Sequence, residues 1–362
     1  MTFPWPQLGA PLSDVITPMP VIDEARLANN LTRAQAYMEH HGLIFRPHIK
    51  THKLASVARF QIDAGAVGLN CQKLTEAEAF ADAGFDDILV TYNILGAERL
   101  SRLRALNDRL NLLTVCADSH TTISGYAGVF ETGKRLHVMV ECDTGGQRCG
   151  VQTPADAAEL AALIDDVPGL IFRGLMTYPS PGGAAKVQDF LAETMALLSA
   201  QGIECPVRST GGSPDLWSAH LVPAATEYRA GTYVYNDRAM LRAGECGPDD
   251  LAMNVLATVV SRPTPDRAVL DAGSKALTSD LLGFSEYGTI EGLPDARIIA
   301  LSEEHAVVDL GPHAGDAPEV GQQVRIVPNH CCVVSNLFDR VVFHRDGIVT
   351  RVEPLLARGT VW

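Results

Sequence analysis

The sequence is organised around the stretch Leu43-Ile-Phe-Arg-Pro-His-Ile-Lys-Thr-His-Lys53. Its first three residues are apolar, Ile49 extends the apolar character, and a helical pattern begins directly afterwards at Leu54. Lys50 therefore lies where a buried strand is expected to end and a helix to begin. Barrel enzymes place their chemical groups at this end of their strands. The alternative is a solvated lysine among basic neighbours, because one lysine carries little motif information.

Composition limits the classes of protein to which the chain can belong. With 362 residues and 46% hydrophobic content, it can bury a large core in one or two domains. A net charge of -14 argues against nucleic acid or an anionic membrane surface as the main partner. No basic leader or long apolar run is present, so we expect neither a signal peptide nor a membrane span. The eight cysteines lie mostly in apolar runs, which indicates reduced thiols in a cytoplasmic protein.

Strand and helix patterns alternate over roughly the first 230 residues. Several helical patterns end in glycine (Gly65, Gly84 and Gly202), which tolerates the left-handed position after a helix. Such alternation predicts a parallel sheet, and eight strands fit a (β/α)8 TIM barrel. An open doubly wound sheet is the alternative, but no Gly-x-Gly-x-x-Gly follows the first strand. The predicted strands are Leu43–Ile49, Ala66–Cys71, Asp87–Tyr92, Leu110–Cys116, Leu136–Glu141, Ile171–Tyr178, Pro206–Thr210 and Ala225–Tyr233.

The pattern changes after about Asp249. Short segments rich in valine and isoleucine follow, separated by proline, glycine and aspartate, and Asp346-Gly347 is a hairpin signal. We expect no helix here, and we expect the extended N-terminus to add an edge strand at Thr17–Asp23. The sequence therefore predicts a barrel at residues 22–249 and an all-β domain formed by residues 1–21 and 250–362.

Polar residues gather at the carboxyl ends of the predicted barrel strands, which face one site in this fold. The loop Thr210-Gly-Gly-Ser213 follows the seventh strand, where barrel phosphate sites recur. Its glycines let backbone amides approach a ligand, and its hydroxyls can donate to phosphate oxygens; a plain turn is the alternative. The other residues of this polar collar are Lys50, Gln72, Tyr92, Asn93, Asp143, Arg148, Tyr178, Tyr233, Tyr235 and Asn236.

A lysine across a barrel mouth from a phosphate loop suggests pyridoxal phosphate, bound as a Schiff base and anchored by its phosphate. Arg148 would then face the pyridine nitrogen, and its permanent charge would keep that nitrogen unprotonated. A surface salt bridge is the alternative for Arg148. His48 and His52 flank Lys50, and either contact with the cofactor or a structural role fits them.

A second cluster, Val327-Pro-Asn-His-Cys-Cys-Val333, carries candidate metal ligands. On a strand, His330 and Cys332 would share a face. Imidazole nitrogen with thiolate sulfur favours zinc, and two protein ligands leave positions for water and substrate. The alternative is a buried cysteine beside a hydrogen-bonded histidine.

Six stretches, in one order along nearly the whole chain, resemble the family of D-threonine aldolase and D-serine dehydratase. These are fold-type III pyridoxal phosphate enzymes, similar to alanine racemase in having a barrel and a β-domain. The stretches are Arg46-Pro-His-Ile-Lys-Thr-His-Lys53, Cys71-Gln-Lys-Leu-Thr-Glu-Ala-Glu78, Gln147-Arg-Cys-Gly150, Gly231-Thr-Tyr233, Leu270-Asp-Ala-Gly-Ser-Lys-Ala276 and Pro328-Asn-His-Cys-Cys332.

The resemblance implies a role for each candidate residue. Lys50 would carry the cofactor and act in catalysis, together with Tyr178 and His52. His330 and Cys332 would bind the metal, reaching the site from the β-domain of the same or the partner subunit in a homodimer. The implied cofactor-binding residues are Lys50, Gln72, Arg148, Tyr178, Thr210, Gly211, Gly212, Ser213 and Tyr233.

The resemblance also implies a metal-dependent lyase that acts on D-β-hydroxy-α-amino acids. Members with His-x-Cys resemble zinc-dependent dehydratases, so Cys332 favours conversion of D-serine, D-threonine or D-threo-3-hydroxyaspartate to a keto acid and ammonia. Members with His-x-Asp resemble aldolases that use manganese or magnesium, and retro-aldol cleavage to glycine and an aldehyde is the alternative. An amino-acid racemase and a non-catalytic pyridoxal phosphate carrier are remoter readings.

Overall fold

The computed structural model describes residues 5–315 and 317–362. Residues 1–4, which the sequence assigns to the β-domain, lie outside the described residues. The chain divides into two compact units, each described by itself below. The barrel unit contains Arg33–Lys50, Ala55–Gly231 and Thr360–Trp362, and the described residues of the β unit are 5–32, Thr51–Leu54, 232–315 and 317–359. The predicted boundaries at residues 22 and 249 stay a prediction.

The barrel unit contains eight parallel strands, which confirms the predicted fold class. The first strand is shorter than predicted, because Pro47 has no N–H to donate to a neighbouring strand. Backbone bonds from Val67 N to Phe45 O (3.0 Å) and from Asn70 N to Pro47 O (2.8 Å) join the first strand to the second and close the barrel. The strands are Ile44–Phe45, Leu69–Cys71, Asp87–Val90, Leu112–Ala117, Leu136–Cys142, Leu170–Thr177, Val207–Gly211 and Glu227–Arg229.

Helices cover the outside of the strands, as the alternating pattern predicts. One of them, His120–Ala127, is not predicted by the sequence, because its residues are mostly weak helix formers. It begins at Ser119, whose hydroxyl accepts a hydrogen bond from Thr122 N at 3.3 Å. Among the described residues, no helix is long and apolar enough to cross a membrane. The helices up to the last barrel strand are Glu24–His40, Ala55–Asp63, Leu74–Asp82, Ala97–Arg109, His120–Ala127, Pro154–Asp166, Ala184–Ala200 and the 3₁₀ helix Ser213–Leu221.

A buried ionic network fills part of the barrel interior. Arg46 is 6% exposed, and it donates to Glu227 Oε2 at 2.9 Å and to Asp87 Oδ1 at 2.7 Å. Ser209 Oγ donates to the other oxygen of Glu227 at 2.7 Å. A buried charge is tolerated when it is paired and hydrogen-bonded, so these partners hold the first, third, seventh and eighth strands together.

The β unit is built on one nine-stranded sheet. Its N-terminal strand Met19–Asp23 lies between Met253–Thr264, to which it is antiparallel, and Arg340–Arg345, to which it is parallel. The N-terminus adds a strand, as predicted, but the expected edge position is wrong, because both sides of this strand are hydrogen-bonded to neighbours. Asp346 and Gly347 form the predicted hairpin turn, both with positive φ. The remaining strands are Arg267–Leu270, Gly288–Ile290, Leu293–Leu301, Ala306–Asp309, Gln323–Pro328 and Ile348–Pro354.

The prediction that no helix follows residue 249 is wrong. Cys331–Leu337 is a helix of two turns, and Ser274–Leu277 forms a single turn. The preceding strand ends at Pro328, and the buried Asp237 carboxylate accepts a hydrogen bond from Cys331 N at 3.1 Å. This distant cap satisfies an N-terminal N–H of the helix, although the segment is rich in β-branched residues.

Candidate active site

Lys50 lies just beyond the first barrel strand, in the single turn Ile49–Thr51. His48 N donates to Ala230 O at 2.8 Å, so backbone pairing ends two residues before Lys50. Lys50 N donates to His48 Nδ1 at 3.3 Å. The lysine is half-buried, as an amine at the mouth of a barrel must be to reach a ligand.

A chain of hydrogen bonds fixes the His48 ring. Gln72 Nε2 donates to Thr91 O at 2.9 Å, which leaves Gln72 Oε1 as the acceptor for His48 Nε2 at 3.2 Å. The Nδ1 atom of His48 is then unprotonated and accepts from Lys50 N. His48 and Gln72 therefore position the backbone of Lys50, a role that sequence reasoning left open for His48.

The loop Thr210–Ser213 forms the expected glycine cradle. Gly211 and Gly212 have φ values of 155° and 148°, which side-chain-bearing residues rarely adopt. A Cβ atom at Gly211 would lie 2.0 Å from Arg229 O. Ser213 Oγ accepts from Gly231 N at 3.2 Å, and Ser213 begins the helix Ser213–Leu221. Gly212 is half-buried and lies directly before this helix, and glycine backbone at a helix N-terminus is an arrangement that binds anions.

Arg148 and Tyr178 lie beside this cradle. The Arg148 guanidinium lies 4.8 Å from the centre of the Tyr178 ring, and both side chains are exposed. A Cβ atom at Gly212 would lie 3.4 Å from Tyr178 Cε2. The barrel unit thus brings Arg148, Tyr178 and the glycine loop together, as the sequence predicts for a cofactor pocket.

The loop that carries Arg148 is held by Asp143. Its Oδ1 atom accepts from Gly145 N at 2.8 Å and from Gln147 N at 3.1 Å. Burial acts to raise the pKa of Asp143, but these N–H donors outweigh it and keep the pKa below its usual range. An ionised Asp143 therefore fixes the loop at neutral pH.

Three groups at the strand ends were not recognised from the sequence. Ligand atoms of Asp118, Glu141 and Cys149 all lie within 4.8 Å of one another. Burial raises the pKa of Glu141 to about 7, although Arg148 opposes the shift. Asp118 follows the fourth barrel strand and Glu141 lies near the end of the fifth, so the rule that identified Arg148 also applies to them.

The candidate metal ligands lie in the β unit. His330 is the N-cap of the helix Cys331–Leu337 and Cys332 is the second residue of that helix, so the prediction that both lie on one face of a strand is wrong. Thr51 Oγ1 lies 3.1 Å from Cys332 Sγ. His330 Nδ1 is buried, lies 3.6 Å from Asp280 Oδ2, and has no hydrogen-bond partner among the described residues.

The chemistry of this pair fits a metal ion. Burial acts to lower the pKa of His330, but contact with Cys332 and the charge of Asp237 outweigh it and raise the pKa to about 9. The surroundings therefore favour positive charge here, and a metal ion would have to replace the ring proton, because only a neutral imidazole is a ligand. An imidazole nitrogen without a hydrogen-bond partner, next to a thiol, is a donor set suited to zinc. Among the described residues, no further histidine, cysteine or carboxylate joins His330 and Cys332 in a group of three whose ligand atoms all lie within 4.8 Å of one another.

Two further predicted residues are buried in the β unit. Leu54 N donates to His52 Nδ1 at 3.1 Å, and His52 is fully buried. Tyr233 is buried in the short helix Thr232–Val234. A catalytic role for His52 and a phosphate contact for Tyr233 stay predictions.

A parallel barrel with Lys50, a glycine cradle and Arg148 near the carboxyl ends of its strands has the features that the sequence predicts for an alanine racemase-like pyridoxal phosphate enzyme. Comparison with known families agrees. The alanine racemase N-terminal domain matches residues 22–239, and the putative serine dehydratase domain matches residues 252–344. The chain therefore belongs to the alanine racemase-like family that includes D-threonine aldolase and D-serine dehydratase, which confirms the resemblance found in the sequence.

Individual relatives include both kinds of lyase. A D-threonine aldolase from Arthrobacter sp. is 34% identical over 98% of this chain and 95% of its own. The crystal structure of D-threonine aldolase from Filomicrobium marinum has a TM-score of 0.91 at 31% identity, and covers 99% of this chain and 100% of that one. The structure of D-threo-3-hydroxyaspartate dehydratase from Delftia sp. HT23 has a TM-score of 0.86 at 30% identity, over 95% and 98% of the two chains. A cysteine-to-alanine mutant of such a dehydratase is known in a metal-free form.

Proposed function

We propose that the protein is a pyridoxal phosphate- and divalent metal-dependent lyase that acts on D-β-hydroxy-α-amino acids. The observation that carries the proposal is the placement of Lys50, Arg148 and the Gly211–Gly212 cradle at one end of the same barrel unit. Support also comes from relatives at or above 30% identity, whose names specify D-threonine and D-threo-3-hydroxyaspartate.

The cofactor residues fit pyridoxal phosphate. Lys50 would hold it, and Thr210 to Ser213 would bind its phosphate with Tyr233, while Gln72 and Tyr178 complete the pocket. When bound, the cofactor supplies an electron sink for negative charge at the substrate α-carbon. Arg148 would keep the ring nitrogen unprotonated, which makes the sink weaker than a carboxylate partner would. The Lys50 amine would take the α-proton.

The metal residues determine the preferred reaction. His330 and Cys332 would hold the ion, and nitrogen with sulfur favours zinc over manganese or magnesium. The ion would act as a Lewis acid for the substrate β-hydroxyl. Because Cys332 provides sulfur, we propose loss of water to a keto acid and ammonia. Similarity to D-threonine aldolases supports the second candidate, retro-aldol cleavage to glycine and an aldehyde.

The proposal also covers the compartment, the oligomeric state and the domain boundaries. We propose a cytoplasmic homodimer with a barrel domain at residues 22–249 and a β-domain at residues 1–21 and 250–362. The eight cysteines, none of them in a disulfide among the described residues, support a reducing compartment.

The test is product identity. Protein supplied with zinc and pyridoxal phosphate is incubated with D-serine, D-threonine and D-threo-3-hydroxyaspartate, and ammonia and glycine are both measured. Ammonia with keto acid supports the dehydratase, and glycine with aldehyde supports the aldolase. Lys50→Ala should abolish turnover, because it removes both the cofactor attachment and the base, whereas exposed Lys275→Ala should not. Racemisation alone, or no product from any D-amino acid, would show that the proposal is wrong.

A further inference from the structure

The group Asp118, Glu141 and Cys149 lies in the barrel unit and has no role in the proposed reaction. Asp118 follows the strand Leu112–Ala117, Glu141 lies near the end of Leu136–Cys142, and Cys149 lies in the loop after that strand. Because adjacent parallel strands end at the same rim, the topology brings two carboxylates and a thiol to one point. Their ligand atoms all lie within 4.8 Å of one another.

Glu141 is the member of this group whose side chain has no protein partner among the described residues. It is only 4% exposed, and no hydrogen bond or ion pair reaches its carboxylate from the residues that the structure describes. A buried carboxylate without a partner is unfavourable, and this one shows it in a pKa raised to about 7 by burial. Its oxygen points towards Asp118 and Cys149, so a cation between the three would satisfy it.

Two arginines, Arg148 and Arg229, act on Glu141, but neither donates a hydrogen bond to its carboxylate. The buried Arg229 donates instead to Ser209 Oγ at 2.7 Å and to Thr177 O at 2.9 Å. Arg148 is exposed and stacks on the Tyr178 ring at 4.8 Å. Asp118 uses one oxygen to accept from Gly150 N at 3.1 Å, which orients its carboxylate.

We propose that Asp118, Glu141 and Cys149 bind a second divalent cation, separate from the one assigned to His330 and Cys332. Two carboxylates and one thiolate are a mixed set that suits zinc and excludes magnesium and calcium, which require oxygen alone. The positive charge of Arg148 acts on Glu141, so it opposes the cation and lowers its affinity. The site therefore fills at higher zinc concentration when Arg148 is present than when it is removed.

The test measures zinc binding to the full-length chain, in a Cys332→Ala background that removes the first site. Equilibrium dialysis should show one equivalent of zinc. Adding Glu141→Gln or Cys149→Ser should weaken binding at least tenfold, because each removes a ligand. Adding Arg148→Ala should instead increase the zinc affinity several-fold, because it removes a positive charge that acts on Glu141. Glu159→Gln and Cys205→Ser, which change similar groups elsewhere in the barrel unit, should have no effect.

Cadmium gives a second readout that does not depend on activity. Its thiolate charge-transfer band in the ultraviolet should appear with the Cys332→Ala protein and disappear with added Cys149→Ser. Circular dichroism confirms that each variant is folded. The proposal is overturned if the Cys332→Ala protein binds no zinc, if Glu141→Gln leaves the affinity unchanged, or if the cadmium band persists without Cys149.

Discussion

The position of Lys50 depends on a neighbouring imidazole whose protonation is fixed. Gln72 must present its oxygen to His48, because its nitrogen is engaged by Thr91 O, and His48 Nδ1 then accepts from Lys50 N. The sequence predicts Lys50 from its place after an apolar run. It does not predict this tautomer, which depends on residues contributed by three different strands.

His137 provides a test of pH dependence at the scale of one residue. Burial lowers its pKa to about 4, with Arg173, Lys134 and Arg135 contributing. His137 is therefore protonated below about pH 6.5 in the unfolded chain, but only below about pH 4 in the folded chain. This contribution to stability is fully present above pH 6.5 and is lost as the pH drops through 4, by about 2 kcal/mol after allowance for solvent screening of the partly exposed ring.

The replacement His137→Gln should reduce this loss of unfolding free energy at acidic pH (the acid limb), as measured by urea unfolding between pH 4 and pH 8. The control His120→Gln removes an exposed histidine paired with Glu159, and it should leave the limb as steep as in the wild type. An unchanged limb in His137→Gln would show that other groups cause the acid loss.

At the scale of elements, apolar runs and helix-ending glycines predict the strands and turns that depend on nearby residues. All eight barrel strands and the hairpin at Asp346-Gly347 follow from such patterns. The helix Cys331–Leu337 does not, because its cap is supplied by Asp237, about ninety residues away in the sequence. The group Asp118, Glu141 and Cys149 was missed for a related reason: its members converge only when two strands are placed side by side.

The glycine cradle gives a prediction for one loop. Gly211→Ala would place a Cβ atom 2.0 Å from the backbone oxygen of Arg229, which cannot move without breaking the eighth strand. We expect the affinity for pyridoxal phosphate to fall at least tenfold in an absorbance titration.

The matched control is Gly182→Ala. Gly182 also has a positive φ of 73°, but a Cβ atom there meets nothing within 4 Å. Backbone strain is therefore present in both variants and the steric clash in only one. Equal cofactor affinity in the two variants would contradict a role for the cradle.

At the scale of the molecule, the two sets of candidate ligands belong to different compact units. Apart from Tyr233, the predicted cofactor residues lie in the barrel unit, and both metal residues lie in the β unit. Loss of the metal should therefore leave the cofactor in place.

Chelation, or Cys332→Ala, should remove at least 99% of turnover while the cofactor absorbance remains, because the β-hydroxyl loses its Lewis acid. Cys205→Ala serves as the control for loss of a thiol. Restoration of activity by zinc after chelation is expected in the wild type only. Full activity in metal-free protein would rule out the metal's role.

The central place of Met19–Asp23 in the nine-stranded sheet has a consequence for biosynthesis. The ribosome makes this strand before the barrel, whereas both of its neighbours, Met253–Thr264 and Arg340–Arg345, are translated after the barrel. The nascent chain must carry an unpaired apolar strand while the whole barrel is being made. Chaperones that shield such segments during translation should therefore raise the yield of active protein more than chaperones added after release.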